Sequence, residues 1–186
     1  MLEAAREHLQ SRGRMIVEVR LDGRTIPAGE LDDRRGTSIS EVEVRLYSAE
    51  PRELAALTLR QARLQLSEAS TAQVEAAELL QQDEPSEALA RIGLAMGAWQ
   101  HAQQAVLRGS QLVELNLDEL TFDHQPVTKM VSDLLEQFQT LKQLITRDDT
   151  LGLADALAYE WPETTDRWDR LMEHLAIRIE ERTERP

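Results

Sequence analysis

Cysteine is absent from the 186 residues. That excludes a disulfide framework, a cysteine-ligated iron–sulfur cluster and thiol catalysis. No run approaches the ~20 consecutive apolar residues that a bilayer-spanning helix needs. No basic stretch leads into an apolar h-region, so no secretory signal is visible and a cytoplasmic chain is expected. Aromatics make up only 4% of the chain. Positive charge is in deficit: 21 Lys plus Arg face 34 Asp plus Glu, leaving a net charge of -13 and a pI near 4.8. An acidic surface repels polyanions, and no Lys/Arg cluster is present to meet phosphates, so nucleic acid is not an expected partner. Glycine-rich phosphate loops and Gly-x-Ser-x-Gly elbows are also missing. What remains is a chain that is 41% hydrophobic, too apolar for disorder. Its length suits one domain of ordinary size, or one with a small appendage.

The pattern changes character near Pro51. Residues 2–11 read as a short amphipathic helix carrying Leu2, Ala5 and Leu9. In Met15–Leu21, residues Met15, Val17, Val19 and Leu21 alternate with Glu18 and Arg20, which predicts a half-buried strand. Asp22-Gly23 suits a type I′ hairpin turn, and Arg24-Thr25-Ile26 can pair back before Pro27 ends the strand. Gly29–Ser38 reads as a loop with Asp32–Gly36 at its tip. Ile39–Leu46 alternates again, with Val42, Val44 and Leu46 on one face. From Pro51 the period is helical. A first long helix runs to about Gln82, with Leu54, Leu57, Leu64, Thr71 and Val74 as one stripe and Leu59, Leu66, Leu79 and Leu80 widening it. A second starts at Pro85-Ser86 and carries Leu89, Ile92, Met96, Trp99 and Val106, with Gly93 and Gly97 spaced for close helix packing. A third, capped by Asp123 with Pro126 in its first turn, carries Val127, Met130, Val131, Leu134, Leu135, Phe138, Leu141, Leu144 and Ile145. Asp148-Asp149-Thr150 opens a fourth segment with Leu151, Leu153, Leu157 and Trp161, which Pro162 must kink or restart. Trp168, Leu171, Met172, Leu175 and Ile179 follow, before a charged tail. The expected fold is mainly α (α+β): an antiparallel bundle of about four long helices (51–186) with a small N-terminal antiparallel β element (1–50), in one compact unit. A two- or three-stranded sheet is marginal alone, so its apolar face should rest on helices or on a partner chain.

The carboxylates are the natural place to seek chemistry. A di-iron bundle needs Glu-x-x-His pairs, and none of His8, His101, His124 or His174 has a Glu three positions before it. Asp118, Glu119, Asp123 and His124 form the best local ligand-like cluster, yet residues of these types are ordinary at a helix entry. Helical pyrophosphohydrolases place acidic pairs three apart for Mg²⁺; this chain has Glu75 with Glu78 and Glu163 with Asp166. The ladder Glu160, Glu163, Asp166, Asp169 drifts around the helix rather than converging. A solvated face with Arg167 and Arg170 as ion partners is the simpler reading. No catalytic or metal set emerges, and no cofactor is implied. Trp99, Trp161 and Trp168 lie on apolar stripes and are expected in the core.

Asp149–Pro162 contains Leu153-Ala154-Asp155-Ala156-Leu157-Ala158-Tyr159-Glu160. This resembles a Leu-Ala-Asp-x-Leu-x-Tyr-Glu signature found near the C-terminus of a set of uncharacterised bacterial helical proteins. The Val19–Gly23 hairpin and the Gly93-centred second helix are also similar, and Trp161-Pro162 departs from the pattern. The resemblance implies a bacterial cytoplasmic origin and no known activity. A fainter similarity, of architecture alone, is to flagellar export chaperones. Tyr159 and Asp155 are four apart and hence neighbours on a helix, so a Tyr–Asp hydrogen bond locking the last helix is expected. Asp155, Tyr159, Glu160 and Trp161 are therefore candidate structural or interaction residues.

The sequence supports a non-enzymatic interaction or adaptor protein, working through its bundle and a strand edge (Ile39–Leu46 or Met15–Leu21), as a homodimer or with a protein partner. A Mg²⁺-dependent nucleotide or phosphate hydrolase using Glu75 and Glu78 is the rival. Neither a membrane nor nucleic acid is an expected partner.

Overall fold

A computed structural model of the chain describes residues 2–27, 30 and 43–181. The expected loop Gly29–Ser38, apart from Glu30, the first part of the Ile39–Leu46 run and the end of the charged tail lie outside the described residues. The protein is mainly α with a small antiparallel sheet near the N-terminus. It divides into two compact units, Met1–Leu54 and Ala55–Pro186.

In the first unit, α1 (Leu2–Gln10) precedes a sheet of β1 (Met15–Leu21), β2 (Arg24–Thr25) and β3 (Val44–Ala49). The strand order is β2-β1-β3, with both pairings antiparallel. Asp22 and Gly23 both take positive φ, 48° and 81°, as the hairpin turn requires. Two expectations need correction. Met15–Leu21 is the central strand rather than an edge, and the other strand continues past Leu46 to Ala49. The alternation in β1 also breaks. A bulge falls between Ile16 and Glu18, so Val17 opposes no partner and stands exposed while Val19 is buried. On the polar face, Arg20 Nε donates to Glu18 Oε1 at 2.7 Å and Thr25 Oγ1 to the same oxygen at 2.6 Å. These donors hold the Glu18 carboxyl below its ordinary value.

In the second unit the long helices are α2 (Pro51–Gln81), α3 (Pro85–Leu112), α4 (Val127–Thr146) and α6 (Trp161–Glu181), with the short α5 (Thr150–Asp155) before α6. Three of the long helices end the same way. Asp83, Glu114 and Asp148 adopt φ of 64°, 53° and 55°. The next amides then reach back across six residues: Glu84 N to Leu79 O, Leu115 N to Ser110 O and Asp149 N to Leu144 O, at 2.9, 2.8 and 3.0 Å. This satisfies carbonyls that the helix end leaves free. Asp149 then caps α5, accepting from Gly152 N at 2.9 Å. A Cβ at Gly152 would stand 2.7 Å from Asp149 Oδ2, so this cap requires glycine. The expected cap at Asp123 is not one. Asp123 and His124 take φ of 48° and 62° as the turn of a tiny hairpin, β4 (Thr121–Phe122) with β5 (Gln125–Pro126), and Pro126 takes the N-cap position of α4.

Pro162 does not break the last helix. Residues Ala156–Glu160 form a single π-helical turn, and Trp161 N donates to Ala156 O, five residues back. The wider turn lets α5 pass into α6 at a residue that lacks an N–H and would clash in a regular helix.

Side-chain pairs fix the helix order. Arg60 meets Glu180, Arg63 meets Glu173 and Asp169, and Gln73 meets Thr165, so α2 and α6 run antiparallel. His101 meets Gln65 and Arg91 meets Glu75, so α2 and α3 are antiparallel as well. Gln137 meets Thr164 between α4 and α6, and Trp99 meets Phe138 between α3 and α4. The result is the expected antiparallel bundle. Its centre is a knot of aromatic rings: Trp99 lies 6.5, 5.3 and 5.8 Å from Phe138, Trp161 and Trp168, edge to face in each case.

The Arg60 fork donates to both oxygens of Glu180 at 2.6 and 2.9 Å and holds that carboxyl below its ordinary 4.5. A lowered folded-state pKa means that the contribution is complete above 4.5 and is lost as pH falls through the lower, folded value. The urea midpoint is therefore expected to drop as the pH falls from about 5 to about 3, and to drop less steeply in Glu180→Gln. Equal slopes for the two proteins would refute the linkage. Glu180 is half exposed, so the effect should shrink in high salt.

Candidate functional site

One extended concave surface lies on the outer side of the α2/α3 pair. Its position follows from which residues the helices bury. On α2 the buried seam is Ala55, Leu59, Ala62, Leu66, Ala69, Gln73, Ala76 and Leu80, stepping alternately by four and three. On α3 it is Ala88, Ile92, Ala95, Trp99, Ala102, Val106 and Gly109, in the same rhythm. Alanine holds four of the eight α2 seam positions and three of the seven on α3, so small residues share the core-facing seam with larger ones. The stripe expected on α2 is thereby corrected: Leu57, Leu64 and Val74 face outward, Leu64 with 71% of its surface exposed. On α3, Leu89 is exposed too, and Leu94 is 64% exposed.

Beside Leu94, between α2 and α3, runs a shallow groove of about 650 Å³. Ala69 and Ala72 form the α2 side of its floor, and Gly93, Gly97 and Ala98 the α3 side. A polar rung bridges each end. Arg91 Nε lies 3.2 Å from Glu75 Oε2, and His101 Nδ1 lies 3.2 Å from Gln65 Oε1. Gly93 and Gly97 do not perform the close intramolecular packing expected of them. A Cβ added at either would meet nothing within 4 Å. Each mid-helical glycine costs about 1 kcal/mol relative to alanine, and no contact within the described residues offsets that cost.

The acidic candidates do not assemble. Glu75 is half-buried in its pair with Arg91, and Glu78 is exposed on the same helix. Glu163 and Asp166 are exposed on α6. Asp118 donates its amide to the Asn116 cap, Glu119 accepts from Asn116 Nδ2 at 2.8 Å, and Asp123 pairs with Arg170 at 3.1 Å. Among the described residues, no group of three His, Asp or Glu side chains is placed to hold a metal ion. No helix among them is long and apolar enough to cross a membrane. A second, polar concavity of about 490 Å³, lined in part by Glu114, Glu119, Glu181 and Arg178, sits near the ends of α3 and α6.

The C-terminal candidates separate into two groups. Trp161 is buried in the aromatic knot, while Asp155, Tyr159 and Glu160 are exposed. Tyr159 keeps 74% of its surface in solvent and makes no hydrogen bond to Asp155, so the expected lock is absent. No protein-family model matches the chain, and neither a curated protein nor a solved structure matches it.

Proposed function

We propose that the chain is a non-enzymatic interaction or adaptor protein whose working surface is the outside of the helical bundle. The observation that carries this reading is the α2/α3 face, where a small-floored groove is lined by the exposed Leu94, with Leu64 also exposed on α2. An apolar groove of this kind suits a protein contact. β3 adds a second route: among the described residues it pairs only with β1, leaving the other edge for strand addition. The partner on this reading is a protein or a second copy of the chain, in a cytoplasmic setting, without nucleic acid or membrane. The rival hydrolase needs carboxylates that converge, and Glu75 spends its charge on Arg91.

The test uses the full chain. Light scattering over a range of concentrations should give a mass above that of the monomer, or a protein captured by affinity should re-form a complex from purified components. A monomer at every concentration, with no reconstituted complex, overturns the reading. Mg²⁺-dependent turnover of a nucleotide, with a Mg²⁺-dependent thermal shift, overturns it in favour of the hydrolase.

A further inference from the structure

We infer that the α2/α3 face is the contact surface of a two-fold homodimer, with the symmetry axis passing beside Gly97. This rests on the reading of the chain as an interaction protein and names both its surface and its partner, a second copy. The argument starts from the outward residues of α3. Read along the helix they are Glu87, Ala90, Leu94, Gly97, His101, Gln104 and Arg108, again in steps of three and four. An axis at Gly97 places a second copy of α3 antiparallel on the first. Gly97 then meets Gly97, Leu94 meets His101, Ala90 meets Gln104, and Glu87 meets Arg108 at both ends. The two ends of the α3 face are thus complementary to each other in charge, as an isologous interface favours. Glu87 and Arg108 are exposed, and neither forms an ion pair among the described residues.

The same axis stacks α2 on its own copy. The rungs Gln65–His101 and Glu75–Arg91 put Glu68 near the level of Gly97. Leu64 of one copy therefore covers Thr71 and Ala72 of the other, which accounts for a leucine left so far out of its own core. The glycines find a use as well: without Cβ atoms at Gly93 and Gly97, two helices can approach closely at a small crossing angle. The distance from Glu87 to Arg108 is about 30 Å, and two helices side by side are about 20 Å wide, so the footprint is on the scale of the ~800 Å² per partner that stable dimers bury. One like-charge contact is created, Glu68 against Glu68.

The experiment is sedimentation equilibrium of the full chain, with thermal melts to confirm that each variant folds. Gly97→Leu should weaken dimerisation about thirtyfold or more, and it leaves the monomer intact because the added side chain enters open space. Glu87→Arg and Arg108→Glu should each weaken it about tenfold, and the double exchange should restore it. Glu68→Gln should tighten the dimer. A wild-type chain that dimerises with an affinity indifferent to all four changes uses another surface: the inference fails and the interaction reading stands. A wild-type monomer at every concentration also overturns the inference, and the reconstitution experiment then decides the broader reading alone.

Discussion

Trp99→Ala is expected to lower the stability of the bundle by about 3–5 kcal/mol, the range for deleting a fully buried large aromatic. Trp99 is 0% exposed, and it is the ring that three others share. Phe138 belongs to α4, and Trp161 and Trp168 to α6, so one side chain from α3 joins three helices. Its neighbours cannot collapse to fill the gap, because the surrounding seam positions are alanines, which have no side-chain length to extend: Ala95 and Ala102 flank Trp99 on its own helix. Chemical denaturation monitored by far-ultraviolet circular dichroism measures the loss. Trp99→Phe should cost markedly less, since it keeps a ring and removes an indole Nε1 that is buried without an acceptor. A loss below about 1 kcal/mol for Trp99→Ala would mean that the aromatic knot is not the keystone of the core.

The fold class was legible because the periods were. Residues 15–21 alternate, residues 127–145 repeat at three and four, and Asp-Gly lies between two short apolar runs; each of these local patterns has one economical solution. The inward face of α3 was legible, since Ile92, Trp99 and Val106 of its expected stripe are buried, but the sidedness of α2 was not legible from a tally of leucines. On α2 alanines alternate with Leu59, Leu66 and Leu80 along the buried seam, while Leu57 and Leu64 lie on the far side. The signal was present in the alternating four-three spacing of Ala55, Leu59, Ala62, Leu66, Ala69 and Ala76. It is easily missed because alanine also fills solvent-facing helix positions for its propensity alone. The groove was hidden for the same reason: Gly93 and Gly97 were visible as a small-residue pair, but whether they face in or out depends on which stripe is the core. The strand bulge at Val17 and the π turn before Pro162 each insert one residue into a regular period, and a periodic reading assumes that no such insertion occurs.

Gln73→Met is expected to stabilise the bundle by about 1 kcal/mol or more, the reverse of the usual outcome for a core substitution. Gln73 occupies a seam position between Ala69 and Ala76 and is 0% exposed. Its Oε1 accepts only a long bond, 3.4 Å, from Thr165 Oγ1, and its Nε2 has no acceptor. An orphaned buried donor costs about 1–3 kcal/mol, more than so long a bond returns. Methionine has similar length, fills irregular space without a polar tip and removes the orphan. Thr165 loses little, because its single hydroxyl proton has a nearer acceptor in Trp161 O, at 2.9 Å. Urea denaturation of the single variant tests the sign. Destabilisation would show that the Gln73–Thr165 contact outweighs the unsatisfied amide, and a double-mutant cycle with Thr165→Val would then measure the coupling. The same substitution separates core from surface. Gln73 faces inward while Gly97 and Leu94 face out, so a stabilised Gln73→Met chain should dimerise with unchanged affinity. A change in its association would mean that the packing of the seam and the proposed outer contact are coupled through the backbone of α2.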